Sequence, residues 1–407
     1  MSGDDIGAKA AEHCLQCGAE MPPGATECAV CASRGMAGPT RQTATLLSLL
    51  LLVVLFIVAG FATNAFHRHE EALGEEWMNR GKEAMAAGRT REAIDAFRTA
   101  LVYSKDNREG QLRLAQTLAG EGRDEEARAY LTTLWEREPG NAAVNLELAR
   151  LAAHRGNVAD AVRYYQQSIY GLWDSDVPLR RRQTRLELIR YLNSRELKQQ
   201  ALAEIIAFAA NLPPDAALET QAGNLFLAQG SYERALDQYR GALRLDPQNA
   251  AALTGAGRAS FASGSFADAQ RYFQQASHAA PLEPDAAKLL ELSRAAVALN
   301  PYTQGLSAES RFTRAIRDFD LARQRLAACT PPAGDAAAAR LADLKQRVTA
   351  MGPRVQASAM RRDMDLFDSV VELAFDAEVR AAQACGAGSV DDQALVLVAN
   401  ARAGATQ

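Results

Sequence analysis

Aromatic residues make up only 6% of this 407-residue chain, and histidine occurs five times. The five histidines (His13, His67, His69, His154 and His278) form no HExxH pair, and the chain has neither a phosphate-loop lysine motif nor a GxSxG elbow. An enzyme needs convergent chemistry, and its usual sequence marks are missing. β-branched runs with period-two alternation are nearly absent, which argues against a sheet-built domain. Abundant Ala with Leu, Glu, Gln and Arg is helix-forming composition, since these side chains lose little rotamer freedom on a helix, so the fold class is all-α. A basic excess is lacking too: the net charge of −4 argues against a general nucleic-acid binder. The length allows two or three domains.

Residues 42–66 contain no charged side chain, and Ala44 to Ala62 reads ATLLSLLLLVVLFIVAGFA. A bilayer core of roughly 30 Å needs about 20 apolar residues at 1.5 Å rise each. A buried soluble helix would keep a polar stripe, and none runs through Leu46 to Val58. A signal peptide would place a shorter apolar stretch nearer the start. The segment is expected to be an uncleaved transmembrane helix in contact with the lipid bilayer, preceded by a cytoplasmic segment over 1–41.

Four of the six cysteines fall in that segment, as Cys14-Leu-Gln-Cys17 and, ten residues on, Cys28-Ala-Val-Cys31. Two such knuckles supply four thiolates to one tetrahedral Zn²⁺. Gly18 suits a positive-φ position that turns backbone N–H groups toward the sulfurs, and Pro22-Pro23-Gly24 allows the chain to double back. The stretch HCLQCGAEMPPGATECAVCAS resembles the short bacterial zinc-ribbon family over about twenty residues, departing from it at Leu15 and Ala32. Paired redox sites or unused thiols are the other reading. His13 is surplus to a complete four-sulfur set. Between Glu12 and Ser33 there is no Lys or Arg, while Glu12, Glu20 and Glu27 are acidic, so phosphate contact is excluded and a structural zinc module is expected.

Beyond the apolar segment one period dominates. Gly88, Gly122 and Gly156 lie 34 residues apart, as do Ala93, Ala127 and Ala161; Gly230/Gly264 and Ala235/Ala269 keep the interval. Pro139, Pro213, Pro247 and Pro281 close units at a matching offset. A 34-residue period with small residues at fixed places marks a helix-turn-helix repeat, in which small side chains let helices approach and Gly ends the first helix. The pattern Trp77, Gly81, Ala93, Phe97, Ala100 resembles the tetratricopeptide family; Gly223, Ala235, Tyr239, Ala242, Pro247 and Gly257, Ala269, Phe273, Ala276, Pro281 repeat it. Six units follow, at 74–107, 108–141, 142–175, 182–215, 216–249 and 250–283. The fourth is degenerate (Ala201, Ile205, Phe208, Pro213) and follows an insertion from Asp176 to Arg181. A capping helix near 284–298 completes the array.

The resemblance implies a superhelix whose groove takes protein or peptide partners, with the ninth position of each unit projecting inward. Those positions hold Lys82, Gln116, Arg150, Arg190, Asn224 and Arg258. Four cations there suit an acidic or carboxylate-terminated peptide. A row of solvated surface residues is the alternative. The chaperone-tail carboxylate clamp of some family members is not reproduced at the fifth positions (Met78, Leu112, Leu146, Leu186, Thr220, Thr254), so a partly apolar groove is equally consistent. Gly255-Ala-Gly257-Arg-Ala-Ser260 has part of the spacing of a dinucleotide loop but lacks its third glycine and a preceding strand, so helix packing explains it.

Residues 301–407 lose the period. Three helical stripes remain: Phe312, Ile316, Phe319 and Leu326; Leu341, Leu344, Val348 and Met351; and Met364, Phe367, Val371 and Ala374. Gly352-Pro353 is expected to interrupt the second. A helical bundle or hairpin packed on the end of the solenoid follows. Cys329 and Cys385, near expected helix ends, admit a disulfide in an oxidising compartment; two unlinked buried thiols are the alternative.

Arg34 and Arg41 before the apolar segment, against Arg68, Arg80 and Lys82 after it, do not decide orientation by the positive-inside rule. Thiol chemistry favours the N-terminus in the cytoplasm and the repeats outside the cytoplasmic membrane; the ribbon resemblance implies a bacterial membrane, with the repeats periplasmic. His67-Arg68-His69 is expected to snorkel to head groups rather than bind metal. The reading is a non-enzymatic membrane-anchored scaffold for cell-envelope assembly or maintenance, with structural Zn²⁺, no nucleic acid and no small-molecule substrate. A zinc- or thiol-dependent signalling or redox switch is the alternative.

Overall fold

The computed structural model describes residues 12–33, 41–330 and 336–405; Arg34 lies outside them. The chain divides into two compact units, Met1–Pro139 and Gly140–Gln407.

In the first unit, β1 (Glu12–His13) pairs antiparallel with β2 (Glu20–Met21), and α1 (Ala29–Ser33) follows. Next comes α2, one uninterrupted helix from Arg41 to Ala86. The apolar segment and the first helix of the first repeat, read separately from the sequence, are thus a single rod of roughly 69 Å at 1.5 Å per residue. Continuity has a local cause: between His67 and Gly74 no proline interrupts, and Glu70, Glu71, Ala72 and Leu73 are good helix formers. Gly74 does not break the helix; it admits α3 (Thr90–Tyr103), where a Cβ would stand 2.7 Å from Ser104 Oγ. Helices α4 (Arg108–Gly120) and α5 (Asp124–Arg137) complete two helical pairs.

The second unit has its own layers, α6 (Ala142–His154), α7 (Val158–Tyr170), α8 (Val177–Ser194), α9 (Lys198–Ala209), α10 (Ala216–Ala228), α11 (Tyr232–Leu245), α12 (Ala250–Ala262), α13 (Phe266–Ala279) and the capping α14 (Pro284–Leu299). Each helix from α6 to α14 packs on the next. The expected insertion lengthens α8 at its start, after a loop in which Leu172 bonds across to Gly140 and Ala142.

The period has a clear physical origin. Gly88, Gly122, Gly156, Gly230 and Gly264 all have φ between +71° and +78°, the left-handed turn that ends each first helix. In the degenerate unit Glu196 occupies that place at φ +59°, a conformation costly for a residue with a Cβ. In three of these units an aromatic ring rests on a helical glycine: Phe97 on Gly81, Tyr239 on Gly223 and Phe273 on Gly257. A Cβ on Gly223 would lie 2.6 Å from the Tyr239 ring, which is fully buried. Gly223→Ala is therefore expected to lower stability by roughly 1–3 kcal/mol through overpacking. A melting temperature unchanged by this substitution would show that the ring has room to move. Gly255 also faces Tyr239, so packing accounts for the Gly255–Ser260 stretch.

Asn107, Asn141, Asp215 and Asn249 cap the first helices of four units, accepting from backbone N–H groups two or three residues on. Asn107 and Asn141, and Asp215 and Asn249, keep the 34-residue interval, and the six-residue insertion offsets the two pairs.

Beyond α14, the chain forms α15 (Ala308–Ala328), α16 (Ala336–Met351), a 3₁₀ turn over Gly352–Arg354, α17 (Ala357–Arg362), α18 (Met364–Cys385) and α19 (Val390–Ala405). Gly352-Pro353 ends α16 as expected. The three stripes, apart from the exposed Met364 at the start of α18, meet in one core with Phe266, Ala296 and Leu299 of the array, so the bundle sits on the array's end. The fourth long helix, α19, is an addition to the sequence reading.

Candidate functional site

Three places in the described residues gather chemistry: the cysteine knuckles, the row of ninth positions, and the buried interior of the C-terminal bundle.

At the knuckles, the four Sγ atoms of Cys14, Cys17, Cys28 and Cys31 lie within 4.8 Å of one another. Cys14 and Cys31 are 3.9 Å apart, Cys17 and Cys28 3.5 Å. A tetrahedron of 2.3 Å zinc–sulfur bonds has edges of about 3.8 Å, so the donor set fits. Local folding builds it. Gly18, at φ +71°, returns its N–H to the Cys14 carbonyl, and Cys14 N–H bonds to Ala19. The second knuckle runs into α1, where Ala32 N–H bonds to Cys28; a helical turn accepts alanine where the family pattern has glycine. Backbone N–H groups of Gln16 and Cys17 pull the Cys14 thiol down to about 7. The neighbouring sulfurs, Cys17 foremost, and burial push that of Cys31 up to about 12. Four sulfurs this close resist joint ionisation unless a cation sits among them, and a dication removes the conflict.

In the first unit, Lys82 pairs with Glu109 at 2.9 Å, and this bond holds the Glu109 carboxyl below its usual range. In the second, Arg150 makes a fork to Glu187, with both contacts at 2.8 Å, and reaches Glu147 at 2.9 Å. Tyr165 donates to the same Glu187 at 2.8 Å. Burial opposes ionisation of Glu187, yet the Arg150 fork outweighs it and lowers its pKa. Arg190 turns its Nε to the Leu186 carbonyl. Asn224 accepts from the Tyr239 hydroxyl at 2.7 Å. Arg258 meets Glu283 at 3.2 Å.

Asn224 and Arg258 line a common depression, of about 420 Å³, between α10, α12 and the start of α14. Its floor is small (Ala250, Ala251, Gly255, Ala276, Ala280), and Leu227 and Leu282 flank it. A backbone can approach such a floor closely. The two arginines differ in availability. Arg150 is held by a fork to a carboxylate only 26% exposed, whereas Glu283 is 79% exposed and its pair with Arg258 is weakly held.

The bundle interior is not wholly apolar. Asp318 and Glu378 have no exposed surface, and neither carboxyl has a hydrogen-bond partner among the described residues. No sequence pattern marks them, since each falls inside an apolar stripe as one acidic residue among many. The sulfurs of Cys329, which caps α15, and Cys385, the last residue of α18, form a disulfide with Cα atoms 5.8 Å apart. Closing a loop of 56 residues is worth about 4 kcal/mol in chain-entropy terms.

Paired helices, glycine turns and aromatic-on-glycine packing define a tetratricopeptide-repeat fold. The tetratricopeptide-repeat family profile matches residues 84–137, 121–169 and 226–292, so the chain carries these repeats. Among solved structures, it is similar to Pseudomonas aeruginosa PilF, at 15% identity over 54% of this chain and 97% of that one, with a TM-score of 0.37. It is also similar to PilW, a type IV pilus biogenesis factor, at 16% identity over 54% of this chain and 98% of that one, TM-score 0.37. A third is the TPR2AB domain of yeast Sti1 in complex with pHSP90, at 16% identity, covering 55% and 99%, TM-score 0.24. No curated protein sequence matches the chain.

Proposed function

We propose that the protein is a non-enzymatic, membrane-anchored scaffold that binds a protein segment in the depression between α10 and α14. The observation that carries this reading is the small-residue floor beside Arg258, whose carboxylate partner is exposed and exchangeable. A segment with small apolar side chains lays its backbone over Ala251 and Gly255, and an acidic group replaces Glu283 on Arg258. Arg150 and Glu187 hold α6 to α8; Arg190 and Asn224 extend the surface the partner meets. Cell-envelope assembly or maintenance is the setting that best suits such a tether.

Apolar side chains of α2 support the anchor. An 18-residue window has mean hydropathy 2.8, and Leu49, Phe56 and Phe61 are over 60% exposed. A lipid bilayer is the solvent that suits that surface. The cysteine knuckles hold structural Zn²⁺ on the cytoplasmic side, where thiols stay reduced, and the Cys329–Cys385 bridge suits an oxidising periplasm around the repeats.

A photo-crosslinking residue placed at Ala251 tests the groove in the full-length protein in cells. It is expected to trap a discrete partner, whereas one at Gln275 on α13, outside the depression, traps none. Arg258→Glu is expected to reduce the Ala251 product roughly tenfold, the effect of losing one interface anchor. Equal trapping from both positions would exclude the depression as the binding surface.

A further inference from the structure

A second cavity, separate from the groove, lies where the bundle meets the array. It measures about 340 Å³ and is walled by Phe261 of α12, Leu292 of α14 and Leu397 of α19, with Glu378, Arg325, Asp392 and Gln393 as its polar members; Gln393 turns its Nε2 to the Gly388 carbonyl at 2.9 Å. The polar groups are out of balance. Both Glu378 carboxyl oxygens are buried and lack a donor among the described residues. The obvious cation does not supply one: Arg325 directs Nη2 to the Gly386 carbonyl at 2.5 Å, and its Nε is itself buried without an acceptor. Asp392 is engaged as the cap of α19, accepting from Ser389 N–H at 2.7 Å. Behind Glu378, on α15, Asp318 adds a second unmet carboxyl.

An unpaired carboxyl buried against apolar walls is costly to ionise, and the cavity adds the cost of unfilled apolar surface. One kind of molecule relieves both: an apolar body carrying a cationic hydrogen-bond donor. Arg325 and Asp392 cancel in charge, so an ionised Glu378 leaves one negative charge unmatched, which an ammonium group neutralises. The Phe261 ring stands in the same wall. A carboxylate ligand would instead face Glu378 and Asp392 together.

We infer that this cavity is a binding site for a small apolar primary amine, whose ammonium group donates to Glu378 while its body rests on Phe261, Leu292 and Leu397. Burial pushes Glu378 up to about 8, so the free site holds it neutral and the bound amine restores its charged form. The site is independent of the scaffold reading and stands whether or not the groove binds a partner.

Three probes of similar shape test the inference on the full-length protein: 2-phenylethylamine, 2-phenylethanol and 3-phenylpropanoate, followed by ligand-detected NMR. The amine is expected to bind measurably more tightly than the alcohol, and the carboxylate not at all. Glu378→Gln is expected to weaken the amine roughly tenfold or more, the loss of a charge-assisted hydrogen bond, while leaving the alcohol unchanged. Because this substitution removes a buried unpaired acid, the variant folds at least as stably as the original chain. Ala382→Phe, which fills the cavity, is expected to abolish binding of both the amine and the alcohol. Equal affinity for amine and alcohol, retention of amine binding in Glu378→Gln, preference for the carboxylate, or no binding by any probe would each overturn it.

Discussion

Near pH 8 the double substitution Asp318→Asn with Glu378→Gln is expected to stabilise α15 and α18 by several kcal/mol over the unaltered chain, and near pH 4 to change little. Burial pushes both carboxyls up to about 8, outweighing Arg317 and Arg314 near Asp318 and Arg325 near Glu378; Glu378 and Asp391 add to the shift of Asp318, and Asp392 to that of Glu378. In an unfolded chain the same groups titrate near 4. Below that pH both states are protonated and the folded state keeps its full stability. As pH rises, the unfolded ensemble ionises while the folded bundle holds its protons, so stability falls by about 1.4 kcal/mol per pH unit for each group, levelling above the folded values near 8. Amides retain the shape of the neutral acids and remove the slope. Hydrogen exchange across α15 and α18 as a function of pH reads this directly. A pH profile identical in the double variant and the parent would mean that these acids find partners or water in the folded state.

Stripping zinc is expected to unfold residues 12–33 altogether. Only Cys28 and Cys31 are buried in this segment, and its sheet is one pair of two-residue strands, so burial alone does not hold it. Structural zinc supplies roughly 10–16 kcal/mol, which then is the folding energy of the module. One zinc per chain is expected by elemental analysis. Chelation, or Cys17→Ser, is expected to abolish amide protection between Cys14 and Cys31. Protection that survives chelation would remove the metal from the account. The same sample addresses the switch reading. If crosslinking from Ala251 is unchanged when zinc is ejected, the module does not report to the groove and acts as a structural or docking element only.

How much of this was legible depends on whether a signal repeats. Gly88 and its equivalents were readable because one backbone conformation recurs every 34 residues and admits little but glycine; the exception, Glu196, shows that the turn outlives the residue that marks it. The knuckle cysteines were readable because chelation demands short fixed spacing. By contrast, the pairs of Arg150 with Glu187, Lys82 with Glu109 and Arg258 with Glu283 join residues 25–37 positions apart, on separate elements, and no local pattern announces them. Asp318 and Glu378 were invisible for a related reason: their significance lies in what does not surround them. Nor did the change from apolar to charged residues near His67 mark a structural joint, because hydropathy reports the solvent a helix faces and says nothing of where its hydrogen-bond ladder stops.

That last point has a mechanical consequence. In α2 the ladder passes from Leu46 to Gly81 with no swivel, so the first repeat inherits the azimuth of the apolar stretch. A helix advances 100° per residue, so inserting one residue near Leu73 would swing the Gly81 face by more than a quarter turn, and inserting four would bring it nearly home. Whatever docks on the first repeat is thereby presented at a bearing fixed by the count of residues below it.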